Sequence, residues 1–182
     1  MPIPSKPVVL TKFQWNLAEV PTEAGVMPSP FTLRGAGEQE KEDGLRVIQS
    51  SYNLDPQWSG CAKYIDETVL PGVERVFGND ATCLFVLHGN RVIGASAYDP
   101  EPADGIHLVS GPCVYLEYRN RGLGGTLLGA TLLALRERGL THAVGQVRPS
   151  SPAARYLCAK FGGKELSAPP TQAPTPVETA AA

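Results

Sequence analysis

VYLEYRNRGLGGTLLGATLLALRER, residues 114–138, is the stretch whose reading decides the fold. Val114, Tyr115 and Leu116 read as the end of an apolar strand. A basic, glycine-dense turn follows (Arg119, Asn120, Arg121, Gly122, Leu123, Gly124, Gly125) and opens a long apolar segment from Thr126 to Leu135. The simplest reading is strand, cradle, helix. Three glycines within four positions (Gly122, Gly124, Gly125) let the backbone adopt positive φ and come close to a ligand. The unpaired N–H groups of a first helical turn point forward, and the helix dipole favours an anion in front of them. With Arg119 and Arg121 adding fixed positive charge, a phosphate or pyrophosphate suits that place.

Spacing separates this turn from two other glycine loops. Thr126 and Leu127 follow Gly125 where G-x-G-x-x-G would need another glycine, and no G-K-[ST] occurs. The pattern present is R-x-x-G-x-G, carried by Arg119, Gly122 and Gly124, preceded by V-x-x-x-Y-R from Val114 to Arg119. It resembles the signature of the GNAT superfamily of acyl-CoA-dependent N-acyltransferases. The order of the following segments is also similar to that family's core: Gly139 stops the helix, Thr141 to Val147 (THAVGQV) reads as a buried strand, and Ser150 to Gly163 reads as a short helix ending in glycines.

Composition sets the outer bounds. A chain of 182 residues suits one domain, and 42% hydrophobic content is enough for a core. With a net charge of −2, nothing marks a non-specific nucleic-acid or membrane surface, so neither is expected as a partner. Cys61, Cys83, Cys113 and Cys158 lie far apart, without a C-x-x-C pair or a histidine at ligand spacing; neither a metal site nor a disulfide framework is expected. The first ten residues, MPIPSKPVVL, lack the apolar core of a secretion signal, and no apolar run reaches about 18 residues. The expected location is cytoplasmic.

Three parts follow along the chain: residues 1–30, an N-terminal strand and proline-rich connection; residues 31–166, the acyltransferase domain; and residues 167–182, rich in Pro, Ala and Thr and expected to be a disordered tail. Val9, Thr11, Phe13, Trp15 and Leu17 alternate with polar residues, as in a strand with one buried face. Leu45, Ile48 and Tyr52 recur at helical spacing, as do Ile65, Val69, Val73 and Val76 in a helix expected to break at Pro71. Thr82 to Asp99 reads as a hairpin turning at Gly89 and Asn90. In the strand from Ile106 to Val114, Gly111 and Pro112 mark a bulge or an edge, the alternative being a simple kink.

The resemblance implies an α/β GNAT fold, a mixed and mostly antiparallel sheet with helices on both faces, splayed at the fourth core strand. It implies transfer of an acetyl or other short acyl group from acetyl-CoA, or another short acyl-CoA, to a small-molecule amine or a protein amino group. The competing class is a non-catalytic acyl-CoA-binding or regulatory module. By the same resemblance Cys113 and Val114 would bond the pantetheine through their main chain, and Arg119 to Gly125 would hold the pyrophosphate. Counting back along N-x-x-A-x-x-x-Y-x-x-x-G puts Ser151 at the asparagine, among the cofactor-binding positions, and Cys158 at the tyrosine that protonates the leaving thiolate. As general base His107 is the candidate, read alongside a half-buried strand histidine, with Glu67 and Asp99 behind it; Glu117 reads as a solvated charge. Two strands that normally end such a domain have no counterpart after Leu166. The strand from Val8 to Leu17 is left over to cover a sheet edge, in its own domain or in a homodimer.

Overall fold

The computed structural model describes residues 7–77, 82–166 and 171–172. The strands are β1 (Val9–Asn16), β2 (Phe31–Gly35), β3 (Cys83–His88), β4 (Arg91–Tyr98), β5 (Leu108–Val114), β6 (His142–Val147), β7 (Lys164–Glu165) and β8 (Thr171–Gln172). The helices are α1 (Lys41–Asn53), α2 (Ala62–Tyr64), α3 (Leu70–Phe77) and α4 (Leu123–Glu137). Thr171 and Gln172 pair with Leu10 and Val9, and the remainder of the tail segment falls outside the described residues.

Two sheets share the strands. One runs β2-β3-β4-β5, antiparallel throughout; the other has β1 between β6 and β7, with β8 pairing further along β1. The alternating sequence of β1 explains its central place: Phe13, Trp15 and Leu17 are buried, while Lys12, Gln14 and Asn16 keep partial exposure. Its register with β6, from Thr11 opposite Val147 to Asn16 opposite His142, shows that the leftover N-terminal strand closes an edge of its own chain.

Helices cover both faces of the β2-β3-β4-β5 sheet. Val47 and Ile48 of α1 and Val73 and Phe77 of α3 pack with Phe85, Ala95 and Ala97 on one side. On the other, Leu128, Leu132 and Leu135 of α4 pack with Trp15, Leu17, Tyr98 and Leu108. A helix apolar on nearly all sides needs cover on all sides. For α4 the outer cover is the N-terminal chain, where Arg136 Nη1 donates to the carbonyls of Leu17 and Val20 at 3.2 and 2.8 Å.

Pro71 does not break its helix. The run from α2 to α3 continues through a wide π turn, Ile65–Val69, in which the Leu70 N–H reaches back to Ile65 O. Proline has no N–H to give to a carbonyl one turn back, and a widened turn just before it accommodates that loss.

Candidate functional site

A V-shaped opening lies between β5 and β6. At its apex the His107 N–H donates to Val144 O at 2.8 Å, and the Val144 N–H donates to His107 Nδ1 at 3.1 Å. A side-chain nitrogen thus substitutes for the next ladder carbonyl. Beyond this junction the strands diverge, and a cleft of about 150 Å³ opens between Ser110 to Cys113 and Gln146 to Arg148.

The bulge that starts the divergence lies between Leu108 and Gly111, where the register with β4 shifts at Ala97/Tyr98 and Gly111 takes φ +64°. Ser110 holds it: its Oγ accepts from the Ala97 N–H at 3.0 Å and donates to Gly111 O at 2.7 Å, while its carbonyl accepts from Tyr52 Oη at 2.7 Å. Burial pushes the Tyr52 hydroxyl well up, so it remains a donor.

Past the bulge, main-chain polar groups alternate in direction. The Tyr115 N–H donates to Ile93 O at 3.0 Å, and Cys113, opposite Ala95, points the same way. Val114 and Pro112 therefore present their main chain to the cleft. Arg119 Nε donates to Val114 O at 3.1 Å, and its Nη2 reaches Ser51 O and Ser51 Oγ at 2.9 and 3.1 Å. The guanidinium fastens α1 to the end of β5.

At the mouth of the V the chain turns through Asn120 (φ +62°) and Gly122 (φ +77°) into α4. Gly122 is the N-cap in a left-handed conformation that favours glycine, and the first helical bond runs from the Thr126 N–H to Gly122 O at 3.2 Å. The amides of Leu123, Gly124 and Gly125 precede that bond and face forward. A Cβ on Gly124 would meet nothing within 4 Å, so the space in front of this turn is open. Lys160 supplies charge the motif did not announce: a Cβ on Gly125 would come within 2.8 Å of its Nζ. Arg121 lies over Tyr118, with its Cζ 5.4 Å from the ring centre.

A row of aromatic rings roofs the cleft. Tyr52 and Trp58 meet edge to face with centres 4.9 Å apart, and Trp58 stacks on Tyr64 at 5.8 Å. Arg148 at the end of β6 ties this roof down through Cys61 Sγ (3.1 Å) and the Trp58 face (5.8 Å).

The sequence model of the acetyltransferase (GNAT) family matches residues 46–162, a span reaching from α1 across the cleft and the glycine turn. The chain belongs to the GNAT acetyltransferase family. No curated protein sequence matches it. Among solved structures, this GNAT chain is similar to a GCN5-related N-acetyltransferase from Sphaerobacter thermophilus, at 17% identity and a TM-score of 0.64, covering 88% of this chain and 50% of that one. A GNAT-family acetyltransferase from Colwellia psychrerythraea gives 15% identity and a TM-score of 0.56 over 87% of this chain and 53% of that one. A Drosophila protein gives 14% and 0.62 over 88% and 48%. The chain thus spans about half the length of these structures, and the likeness is one of fold.

Within this GNAT domain the residues singled out in the sequence separate into groups. Val114, Arg119, Asn120, Arg121, Gly122, Leu123, Gly124 and Gly125 come together at the mouth of the V. Ser151 and Cys113 line the cleft, with the Ser151 Oγ accepting from the Ala154 N–H at 3.1 Å. His107 is committed to Val144 at the apex and is not among the cleft-lining residues; burial lowers its pKa, opposed by Asp99 and Asp104. Cys158 packs with Trp15 and Leu17 in the core. Burial pushes its thiol up to about 12. A thiol that weak is a poor proton donor to a leaving thiolate whose own pKa is about 8.5. The cause is local: Ala153–Leu157 forms a π turn closed from the Cys158 N–H to Ala153 O, and it is Ala153 and Leu157 that face the cleft. Asp99 pairs with Arg75 at 3.5 Å, and Glu117 with Arg91 at 3.1 Å.

Tyr52, Asp55, Trp58, Arg148 and Lys160 are site residues that the sequence reading did not single out. Asp55 Oδ1 accepts from the Gln57 N–H at 2.9 Å, in the Asp-Pro turn that starts the roof. That Asp-Pro pair was the available signal. Among the described residues no group of three potential ligands could hold a metal ion, and no helix is long and apolar enough to cross a membrane.

Proposed function

We propose that this chain transfers an acetyl or other short acyl group from its CoA thioester to an amine, with both reactants held in the cleft between β5 and β6. The observation carrying the reading is the forward-facing turn of Leu123, Gly124 and Gly125, open in front and reached by the chain a few residues after the cleft-lining segment Ser110 to Cys113. Fit can be judged from the chain itself. Three free amides, a helix dipole and the Lys160 ammonium suit a diphosphate, and a strand edge suits an amide-bearing arm.

When bound, the thioester supplies an acyl carbon with a good leaving group. The remaining work falls to the protein. Leu123 to Gly125 bind the diphosphate, and the Val114 N–H orients the pantetheine. The aromatic roof excludes water. Asp55, the carboxylate lining the inner cleft, takes the proton that a protonated amine must lose before it attacks, directly or through water. A tyrosine acid is dispensable here, because a thiol with a pKa of about 8.5 departs as thiolate at the cost of roughly 2 kcal/mol. Positioning alone can supply about 7–11 kcal/mol.

Gly124→Trp tests the cradle. A Cβ at Gly124 meets no atom within 4 Å, which gives the indole an unobstructed start into the space in front of α4, so the melting temperature is expected to stay within about 2 °C while acetyl-CoA binding falls at least about 100-fold. Calorimetric titration and thermal unfolding read the two quantities, and unchanged affinity would refute the cradle. Binding without CoA release on any amine would instead identify a binding module.

A further inference from the structure

The cleft does not end under the thioester. Beneath the same roof a second cavity of about 120 Å³ shares Tyr52, Trp58, Ser110 and Gln146 with the first and continues away from the glycine turn toward Tyr64 and Asp104. An acceptor whose amine lies at the β5–β6 opening would extend its other end into this second cavity. The chemistry of that end is a statement about what the acceptor carries there.

Two charged residues line the second cavity, Arg75 and Asp104. Arg75 is engaged: its Nη2 lies 3.5 Å from Asp99 Oδ2, a carboxylate with 18% side-chain exposure. Asp104 is in no ion pair among the described residues. One oxygen accepts from the Ile106 N–H at 2.9 Å, which fixes the carboxylate and leaves the second oxygen available. Asp104 is also near enough to Tyr64 to help raise that hydroxyl, after burial, to about 12. The far end is therefore acidic once Arg75 and Asp99 are set against each other. The approach to it runs under Tyr52, Trp58 and Tyr64, whose ring faces attract cations and whose area suits methylene groups. In the inner cavity Asp55 and Arg148 are opposite in sign, so the asymmetry lies at the outer end.

From this we infer that the acceptor is a small dication: a primary amine joined by an apolar linker to a second positive group, which sits at Asp104 under the Trp58–Tyr64 pair. The inference rests on the acyl-transfer reading for the place of the reacting amine, and it makes Asp104 and Trp58 determinants of acceptor choice rather than of bond making. A terminal carboxylate in the same place would meet Asp104 with Arg75 already paired, and a simple alkyl group would leave the carboxylate unused.

Three probes of five carbons each separate these cases: pentane-1,5-diamine, pentylamine and 5-aminopentanoate. Each is titrated calorimetrically at pH 7.5 into the whole protein saturated with CoA, and into its Asp104→Asn variant. Asparagine keeps the oxygen that accepts from Ile106 and removes the charge, so the turn is preserved. The diamine is expected to bind about fivefold more tightly than pentylamine in the parent protein, as suits a partly exposed ion pair with an aromatic contribution. The variant should lose that preference while its affinity for pentylamine stays the same. Equal binding of the diamine and pentylamine, tighter binding of 5-aminopentanoate, a preference that survives in Asp104→Asn, or no binding of any probe would each overturn the inference. CoA release from acetyl-CoA is followed in parallel. Diamine preference without CoA release would count against acyl transfer alone, and release with pentylamine as readily as with the diamine would count against the dication alone.

Discussion

A proton on His107 Nδ1 would remove the acceptor that the Val144 N–H uses at the apex of the V. Burial lowers the pKa of this ring from its ordinary 6.5, against the smaller opposing pull of Asp99 and Asp104. The unfolded chain therefore takes up the proton first as pH falls. Stability from the neutral ring is fully present above about 6.5 and is lost as pH drops through the lower folded-state value. His107→Asn would keep an oxygen in the accepting position and remove the titration. Between pH 7 and pH 5 the parent's melting temperature is expected to fall further than the variant's. Equal slopes would show that the ring is not the junction's acceptor. At this scale the glycine turn was legible, because R-x-x-G-x-G names its own conformation through Gly122. The roles of His107 and Cys158 were not: the first depends on a neighbour 37 positions away, the second on a π turn that shifts the helical count by one.

Helix α4 shows how an element can invert a general preference. Replacing glycine by alanine inside a helix ordinarily gains about 1 kcal/mol. At Gly129, however, a Cβ would lie 2.5 Å from Ala24 O, where the turn Thr22–Gly25 crosses the helix backbone to backbone. Gly129→Ala is expected to lower stability by about 1–3 kcal/mol, read from the urea midpoint, and a gain would mean that the crossing is loose. The helix itself was legible from its apolar run, and the bulge in β5 from Gly111 and Pro112. The continuity of α2 into α3 through Pro71 was not, since a 3.6-residue period contains no sign of where a turn will widen.

For the whole molecule, the decisive observation is that the N-terminal strand β1 pairs with β6 and packs against α4. Trp15 is fully buried and its Nε1 donates to Lys160 O at 2.9 Å. Each large side chain buried in β1 and the turn after it contributes about 1.5–3 kcal/mol, and five of them (Leu10, Phe13, Trp15, Leu17, Val20) together rival the 5–15 kcal/mol that stabilises a whole domain. Deleting residues 1–20 is expected to abolish cooperative unfolding and acetyl-CoA binding together, as followed by circular dichroism and calorimetry. A truncated protein that melts as the parent does would show β1 to be an accessory. Period-two alternation made the strand legible; its partner was not, because an amphipathic strand states which face it buries and nothing about whose edge it joins.

That placement also governs how the molecule comes into being. During synthesis β1 leaves the ribosome well ahead of its mate β6, which is made more than 120 residues later, and the Trp15 indole meets its acceptor 145 positions downstream. The strand must wait, apolar face uncovered, until β6 has been translated. Pairings this distant are slow to form and leave the nascent chain open to self-association. The β6 wall of the cleft is thus formed late, and a chain interrupted before residue 142 lacks that wall.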